Sequence, residues 1–442
     1  MIRRVYIIKV AFKTLGCKVN QYETEAILNL FKENGFKIIN FKEKADIYII
    51  NTCTVTHEAD RKSKQMIRKA INQNKESKVI VIGCCAQSNY KILEKINGID
   101  IILGNNEKYN VLQELDSLKI KKNIIKVKPI KNITRYNTVR NKQSHLRSRA
   151  LVKIQDGCNN FCSYCKIPYV RGPERSRLPE DIMEEISFLD KTGTKEIVLL
   201  GINLGTYGND FYTKKTNLTN LISLINDNFK QIRRIRLSSI ELLNVDSNLL
   251  DAFNKYPKLC HHLHIPLQSG SDKILKLMNR PYGLESFSKI IKNIRKNIPD
   301  VAITTDVMVG FPGEDDKSFN DAYNYIKKME FAKIHVFPYS DREKCLSNLL
   351  PDKIDYQIRK DRIKKLLKLS KDLYFNFRNN YVGRITEVLI EDEKVNDDGS
   401  ICSYGITGNY IRVMIPNLSG KKDKIIKVKL NKIYKEYIIA SV

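Results

Sequence analysis

The segment KIQDGCNNFCSYCKIPYVRG, residues 153–172, places Cys158, Cys162 and Cys165 within eight residues. Thiolates are metal ligands, and the spacing CxxxCxxC lets one loop wrap a single centre. Four thiolates would close a tetrahedral zinc or a cluster site. Three leave one iron of a cubane without a protein ligand and open to a substrate. The segment holds no fourth Cys or His, so an iron–sulfur cluster fits it better than structural zinc.

The elements around this loop follow from apolar periodicity. In residues 5–118 the runs VYIIKVAF (5–12), ADIYIIN (45–51), KVIVIG (78–83) and IDIILG (99–104) alternate with helical spacing, which predicts a parallel sheet covered by helices. Residues 119–149 hold eleven Lys or Arg and no acid, and read as a basic linker. From 151 onward six strands are predicted, at 151–155, 196–201, 234–239, 262–268, 302–311 and 333–339. Helices are predicted at 179–191, 217–228, 284–297 and 316–329. Six βα units fall short of the eight of a full barrel, so a partial (β/α)6 barrel is expected, with functional groups at the C-terminal strand ends. A charged helix over about 355–380 leads to a β-patterned tail, 381–442, of the size of a small RNA-binding barrel. The fold class is α/β.

A second cysteine set lies in the first region. Cys17, Cys53 and Cys84 follow strand ends in TLGCKVNQ, NTCTVT and VIGCCAQ. The C-terminal ends of parallel strands meet along one sheet edge, so cysteines 36 and 31 residues apart can converge there. Structural thiols would sit inside the apolar runs, whereas these lie just beyond them.

Ten cysteines in a chain whose composition suits a cytosolic protein are expected to be reduced thiols or ligands rather than disulfides. No apolar run approaches the roughly 18 residues of a membrane span. The net charge of +28 points to a polyanionic partner, above all nucleic acid. Part of that excess belongs to a composition rich in Lys, Asn and Ile.

CxxxCxYC at the head of a six-strand βα pattern resembles the radical S-adenosylmethionine superfamily, in which the methionyl amine and carboxylate chelate the open iron. With GCKVNQYETEA, NTCTVT, GCCAQ, RGPERSR and HLHIPLQSGS, nearly the whole chain resembles the methylthiotransferase family. Within that family these motifs look like the branch that methylthiolates N6-threonylcarbamoyladenosine beside the tRNA anticodon. The resemblance implies an N-terminal methylthiotransferase domain over 1–118, the linker 119–149, a radical core over 150–380 and a TRAM-like RNA-binding β-barrel over 381–442. It implies two [4Fe–4S] clusters, held by Cys17, Cys53 and Cys84 and by Cys158, Cys162 and Cys165, together with S-adenosyl-L-methionine. Its partners would be the tRNA anticodon stem-loop, an electron donor and a sulfur source, in the cytoplasm and away from any membrane. In the implied reaction one S-adenosylmethionine methylates a sulfur at the auxiliary cluster. A second is cleaved to the radical that abstracts hydrogen from adenine C2 at position 37. Other readings are methylthiolation of isopentenyladenosine or of a ribosomal-protein aspartate and, in another class, an iron–sulfur RNA-binding sensor.

Within this frame Asn203, Ser238, Ser239, Gln268 and Asp306, polar groups at strand ends, are candidates for holding S-adenosylmethionine. Arg171, Arg175 and Arg177 either meet phosphate near the target base or are solvated. Alternation along HLHIPLQ turns His262, His264 and Gln268 to the barrel lumen and Leu263, Ile265 and Leu267 to the helices, which argues against a histidine metal site. Cys85 stands where the family usually has an aromatic and reads as a spare thiol. Cys345 and Cys402 have no partner spacing.

Overall fold

The computed structural model describes residues 7–137, 148–212, 216–395 and 399–442. They divide between two compact units. One comprises Met1–Gln143, Gln155–Arg177 and Ser340–Asn348. The other comprises Ser144–Ile154, Leu178–Tyr339 and Leu349–Val442.

The first unit is built on a parallel sheet: β1 (Lys9–Thr14), β2 (Lys37–Ile39), β3 (Ile47–Thr52), β4 (Lys78–Gly83), β5 (Ile101–Leu103) and β6 (Ile124–Lys126). Its strand order is β2-β1-β3-β4-β5-β6, parallel throughout. Helices cover both faces, which is why its strands read as unbroken apolar runs. Ile49, Ile80, Ile82 and Leu103 bury on the face that holds Phe31 of α1 (Lys18–Glu33). Tyr48, Ile50, Val79 and Val81 bury on the other, with Ile67 of α2 (His57–Gln73) and Ala86 of α3 (Cys84–Leu93). Two edge strands escaped the sequence reading. β2 is three residues long, and β6 lies inside the run taken as a basic linker, where its Ile124 pairs with Ile101 and is buried. Residues 138–147 of that run lie outside the described residues.

The second unit carries the six predicted strands, β7 (Arg149–Lys153), β10 (Glu196–Leu200), β11 (Arg234–Leu237), β12 (His262–His264), β13 (Ala302–Val309) and β14 (Lys333–Pro338). The chain also forms a short pair in the first unit, β8 (Gln155–Asp156) with β9 (Arg175–Ser176). β7, β10 and β11 form one parallel set and β12, β13 and β14 another, linked by parallel bridges Ile235–Leu259 and Ser239–His264. The result is an open six-strand arc. Its apolar side chains, among them Leu199, Leu263, Ile265 and Leu267, pack on helices Pro179–Lys191, Leu218–Asn228 and Leu284–Asn297.

After the 24-residue helix Tyr356–Asn379 the tail closes into a five-strand barrel of order β15-β16-β17-β19-β18. These strands are β15 (Ile385–Val395), β16 (Ile401–Thr407), β17 (Arg412–Pro416), β18 (Ile425–Tyr434) and β19 (Tyr437–Ser441). Closure leaves no unpaired sheet edge. The barrel is fixed to the arc by buried arginines on β11. Arg236 donates to Glu196 at 2.7 and 3.3 Å and to the carbonyls of Gly408 and Thr407 at 2.9 and 3.1 Å. Its guanidinium lies 4.7 Å from the ring centre of Tyr410, and His262 stacks on that ring at 4.6 Å. No helix among the described residues is long and apolar enough to cross a membrane.

Candidate functional site

Strand order explains how three distant cysteines meet. β1, β3 and β4 are neighbours, and Cys17, Cys53 and Cys84 stand just past their C-terminal ends. Adjacent strands lie about 4.8 Å apart, so the three turns crowd one edge. Gly16 has φ +97°, and a Cβ there would stand 2.8 Å from the Cβ of Cys53. Gly83 has φ +94°, and a Cβ there would stand 2.3 Å from Asn51 Oδ1. Only glycine lets the cysteine-bearing turns pass this close.

Each turn is then pinned. Cys17 caps α1. The Asn20 amide donates to the carbonyls of Leu15 (2.8 Å) and Thr52 (3.1 Å), tying the first turn to the second. Ser63 Oγ donates to the carbonyl of Cys53 at 3.1 Å. Cys84 opens α3, and Asn105 Nδ2 donates to its Sγ at 3.5 Å. The thiols feel one another's charge. Desolvation raises the pKa of Cys17 and pushes Cys53 up to about 11, with Cys84 adding to both and Arg171 opposing.

The loop with Cys158, Cys162 and Cys165 belongs to the same unit. The β8–β9 pair closes its base, Cys158 N–H donates to the carbonyl of Gly172 at 3.1 Å, and Cys165 N–H to that of Cys162 at 2.9 Å. Desolvation, followed by the charges of Cys162 and Cys158, raises the Cys165 thiol. None of the six cysteines is joined in a disulfide. Among the described residues no three Cys, His, Asp or Glu side chains group tightly enough for a single metal ion. In a cubane each thiolate takes a different iron, so three of them are spread wider than around a single ion and one iron stays open. The donor sets, three soft thiolates in each, fit such a cluster.

The arginines after the radical loop are neither solvated nor turned to phosphate, which corrects that expectation. Arg171, Arg175 and Arg177 are buried, at 1%, 5% and 1% exposure. Arg171 donates to both oxygens of Glu23 (3.0 and 3.2 Å), to Asp156 (3.0 Å) and to Asn20 (2.6 Å). Arg175 lies 3.6 Å from Asp156, and Arg177 donates to Tyr22 Oη at 3.2 Å. Lys108 completes the group, 2.6 Å from Glu23 and 3.1 Å from Asn105 Oδ1. Glu23 stands in the run GCKVNQYETEA, whereas Asn105 and Lys108 belong to no such run. The role of all three is set by partners as far as 148 residues away, which the local pattern does not show. Arg342 is likewise new: it lies 2.5 Å from Asp60 and donates to Thr54 Oγ1 at 2.8 Å, next to Cys53. Cys85 is buried beside Asp60, and burial and that carboxylate push its pKa up to about 12, which suits an inert thiol.

In the second unit Asn203 and Ser239 follow the ends of β10 and β11, and Gln268 lies beyond β12. Asp306 is on β13 itself. Asn203 is buried and accepts from Asn244 Nδ2 at 3.1 Å, while Ser238 Oγ accepts from the Gly201 N–H at 3.3 Å. Gln268 is held at φ +69°, a left-handed conformation costly for a residue with a Cβ, by backbone hydrogen bonds to Asp306 and Met308 at 2.8 Å each. Asp306 lies 3.3 Å from His264 Nε2, whose Nδ1 meets Thr304 Oγ1 at 2.9 Å. The predicted alternation holds: Leu263, Ile265 and Leu267 are core, and the histidines make polar contacts on the opposite side.

Comparison with known proteins agrees with this architecture. Residues 9–104 match the family described as Uncharacterized protein family UPF0004, and residues 152–326 the Radical SAM superfamily. The threonylcarbamoyladenosine tRNA methylthiotransferase MtaB of Bacillus subtilis (strain 168) is 39% identical over 96% of this chain and 94% of its own. The tRNA-2-methylthio-N(6)-dimethylallyladenosine synthase of Clostridium tetani (strain Massachusetts / E88) is 35% identical over 95% of this chain and 93% of its own. Among solved structures, the radical S-adenosylmethionine methyltransferase TsrM of Kitasatospora setae shares the fold, with a TM-score of 0.53 at 11% identity over 74% of this chain and 72% of that one. The chain is therefore an enzyme, and it belongs to the radical S-adenosylmethionine tRNA methylthiotransferase family.

Proposed function

We propose that the enzyme methylthiolates C2 of N6-threonylcarbamoyladenosine at position 37 of tRNA, in the cytoplasm, drawing on an electron donor and a sulfur source. The observation that supports this substrate is the 39% identity, across nearly the full length of both chains, to a relative named for it. In this reading Cys158, Cys162 and Cys165 hold the cluster that binds S-adenosylmethionine, and Cys17, Cys53 and Cys84 hold a second. When bound, the first supplies the electron for reductive cleavage of S-adenosylmethionine and the second carries the sulfur to be transferred. The chain's own residues bind and orient. Asn203, Ser239, Gln268 and Asp306 offer polar groups to the methionyl, ribose and adenine of S-adenosylmethionine, with Asp306 held by His264. In the same reading 1–118 serves as the methylthiotransferase domain, 150–380 as the radical core and the tail barrel, 381–442, grips RNA, although the compact units divide the chain elsewhere. Lys427 and Lys429 alternate with buried Val428 and Leu430 on β18 and so present their ammonium groups outward for phosphate.

Nucleoside analysis of tRNA from cells lacking the gene tests the substrate. Loss of 2-methylthio-N6-threonylcarbamoyladenosine, restored by the gene, is the expected result. Loss of the methylthio derivative of dimethylallyladenosine would transfer the reading to that base, which the name of the Clostridium tetani relative favours. The site assignment has its own test in an anaerobic assay. Replacing Cys158, Cys162 and Cys165 with Ala should abolish both S-adenosylmethionine cleavage and methylthiolation. Replacing Cys17, Cys53 and Cys84 with Ala should abolish methylthiolation and spare cleavage.

A further inference from the structure

A buried ionic network adjoins the N-terminal cysteine turns and reaches all three. Asn20, three residues after Cys17, accepts from Arg171 and donates to Thr52, the residue before Cys53. Asn105 donates to Cys84 Sγ at 3.5 Å and to the carbonyl of Val170 at 2.7 Å, and accepts from Lys108. The centre is the Arg171–Glu23 pair, both side chains at 0% exposure. Three cations, Arg171, Lys108 and Arg175, face two carboxylates, Glu23 and Asp156. One donor is left over. The Nε of Arg171 is buried and has no hydrogen-bond partner, although both Nη atoms are fully engaged. A buried N–H without an acceptor costs about 1–3 kcal/mol, so its survival asks for a reason. The guanidinium also lies close enough to Cys17, Cys53 and Cys84 for its charge to act on all three thiols.

Arg171 does not come from the sheet. It ends the short helix Ile167–Arg171, in the segment Gln155–Arg177 that also carries Cys158, Cys162 and Cys165. We infer that Arg171 is a positioning residue for the N-terminal cysteine site, its Nε reserved for a sulfur acceptor there, so that this site loads only when the radical-cysteine segment is docked. The inference rests on the reading that Cys17, Cys53 and Cys84 hold an iron–sulfur cluster. Hydrogen bonds and charge around cluster sulfurs set affinity and potential, and outer partners of this kind commonly govern both. One residue would thereby make the sulfur-handling site conditional on docking of the segment that carries the radical cysteines, whether or not those cysteines are loaded.

The test uses the full chain with Cys158, Cys162 and Cys165 replaced by Ala, reconstituted anaerobically with ferrous iron and sulfide. This parent should retain about four irons. A folded parent with no iron overturns the cluster reading and this inference together. In that background, Arg171→Met with Glu23→Gln removes both halves of the pair, while Asp156 keeps Arg175 and Lys108 keeps its hydrogen bond to Asn105. Its iron should be lost to a chelator about 10- to 100-fold more readily, and the midpoint potential should fall as the Nε–H donor to sulfur is lost, the two opposite charges removed offsetting each other. Arg171→Lys, which keeps charge without the guanidinium fork, should restore retention only in part. Retention and potential equal to the parent's in the folded double variant overturn the inference alone. A second measurement needs no change at Arg171. Loading iron into the parent should slow amide hydrogen exchange in residues 167–172 by about tenfold, since coupling between sites is reciprocal. Unchanged exchange in that segment overturns the inference as well.

Discussion

Two arginine–glutamate pairs, one in each unit, are built from the same parts and end in different roles. Arg171–Glu23 and Arg236–Glu196 are both bidentate and both buried, and each gathers further charges, Lys108 and Asp156 in the first, Arg234 and Arg149 in the second. The difference is what remains unspent. Every N–H-bearing nitrogen of Arg236 is used, on Glu196 or on carbonyls of the tail barrel, and its face rests on Tyr410. Arg171 keeps one buried donor free among three thiols. A buried ion pair thus says little by itself about function, and the leftover valence says more.

The largest expected effect lies in the second unit. Arg236→Met leaves Glu196 with its closest partner gone, which should cost about 3–5 kcal/mol of stability. Thermal unfolding measures it, and iron content should not change; a drop in iron would mean the two pairs are not separate in role. Truncating the chain at 381 should destabilise the arc for the same reason, so loss of tRNA binding in that truncation would not by itself assign RNA binding to the barrel.

A smaller effect depends on pH. Burial raises the pKa of Glu196, but Arg236, with Arg149 and Arg234, outweighs burial and holds it below the ordinary glutamate value. A carboxylate depressed in the folded state contributes stability above its unfolded pKa, about 4.3, and loses that contribution as pH falls through the lower folded value. Glu196→Gln should therefore be less stable than the natural chain at pH 7 and approach it in acid. Parallel stability curves across that range would show that the pair contributes packing rather than charge.

Asn105→Leu sharpens the other half of the comparison. It removes the N–H to Cys84 Sγ and the tie to Val170, and should cost about 1 kcal/mol in stability. Iron at the N-terminal site should become markedly easier to chelate, with the Cys158 site unaffected. The smallest structural effect belongs to charges outside both networks. Lys427→Glu with Lys429→Glu should leave unfolding within about 0.5 kcal/mol of the natural chain. The slope of log affinity for tRNA against log salt should fall by about 1.5.

The asymmetry between local and distant partners also decides what could be read from sequence. Cys158, Cys162 and Cys165 are legible because their spacing is local. The six arc strands are legible because each is an apolar run flanked by helical periodicity, and their observed bounds differ from expectation chiefly at the ends. The convergence of Cys17, Cys53 and Cys84 needed one long-range rule, that parallel strand ends share an edge, and the order β1-β3-β4 obeys it. Beyond such rules sequence fell silent. The arginines of RGPERSR read as meeting phosphate or solvent, yet Arg171 and Arg177 are among the most deeply buried side chains, because acceptors 148 and 155 residues away were invisible to any window. β6 hid for a related reason: the lysines around Ile124 suggested solvent, and only its pairing with β5 makes it a strand.

The way α1 and α3 begin has a further consequence. Cys17 is the residue that caps α1 and Cys84 the first residue of α3, so two helices aim their amino ends at the same thiols. Each such end carries roughly half a positive charge from aligned peptide dipoles. The end of α3 at buried Cys84 and the buried Arg171 guanidinium are fixed within protein, where mobile ions do not reach to screen them, whereas the end of α1 at Cys17 is exposed. The lysines of β18 stand in solvent, within a screening length of about 8 Å at physiological salt. On the proposed reading the molecule meets two kinds of anion with two kinds of positive field, one little affected by ionic strength and one obedient to it. A salt wash should strip bound tRNA from the enzyme and leave its thiolate site undisturbed.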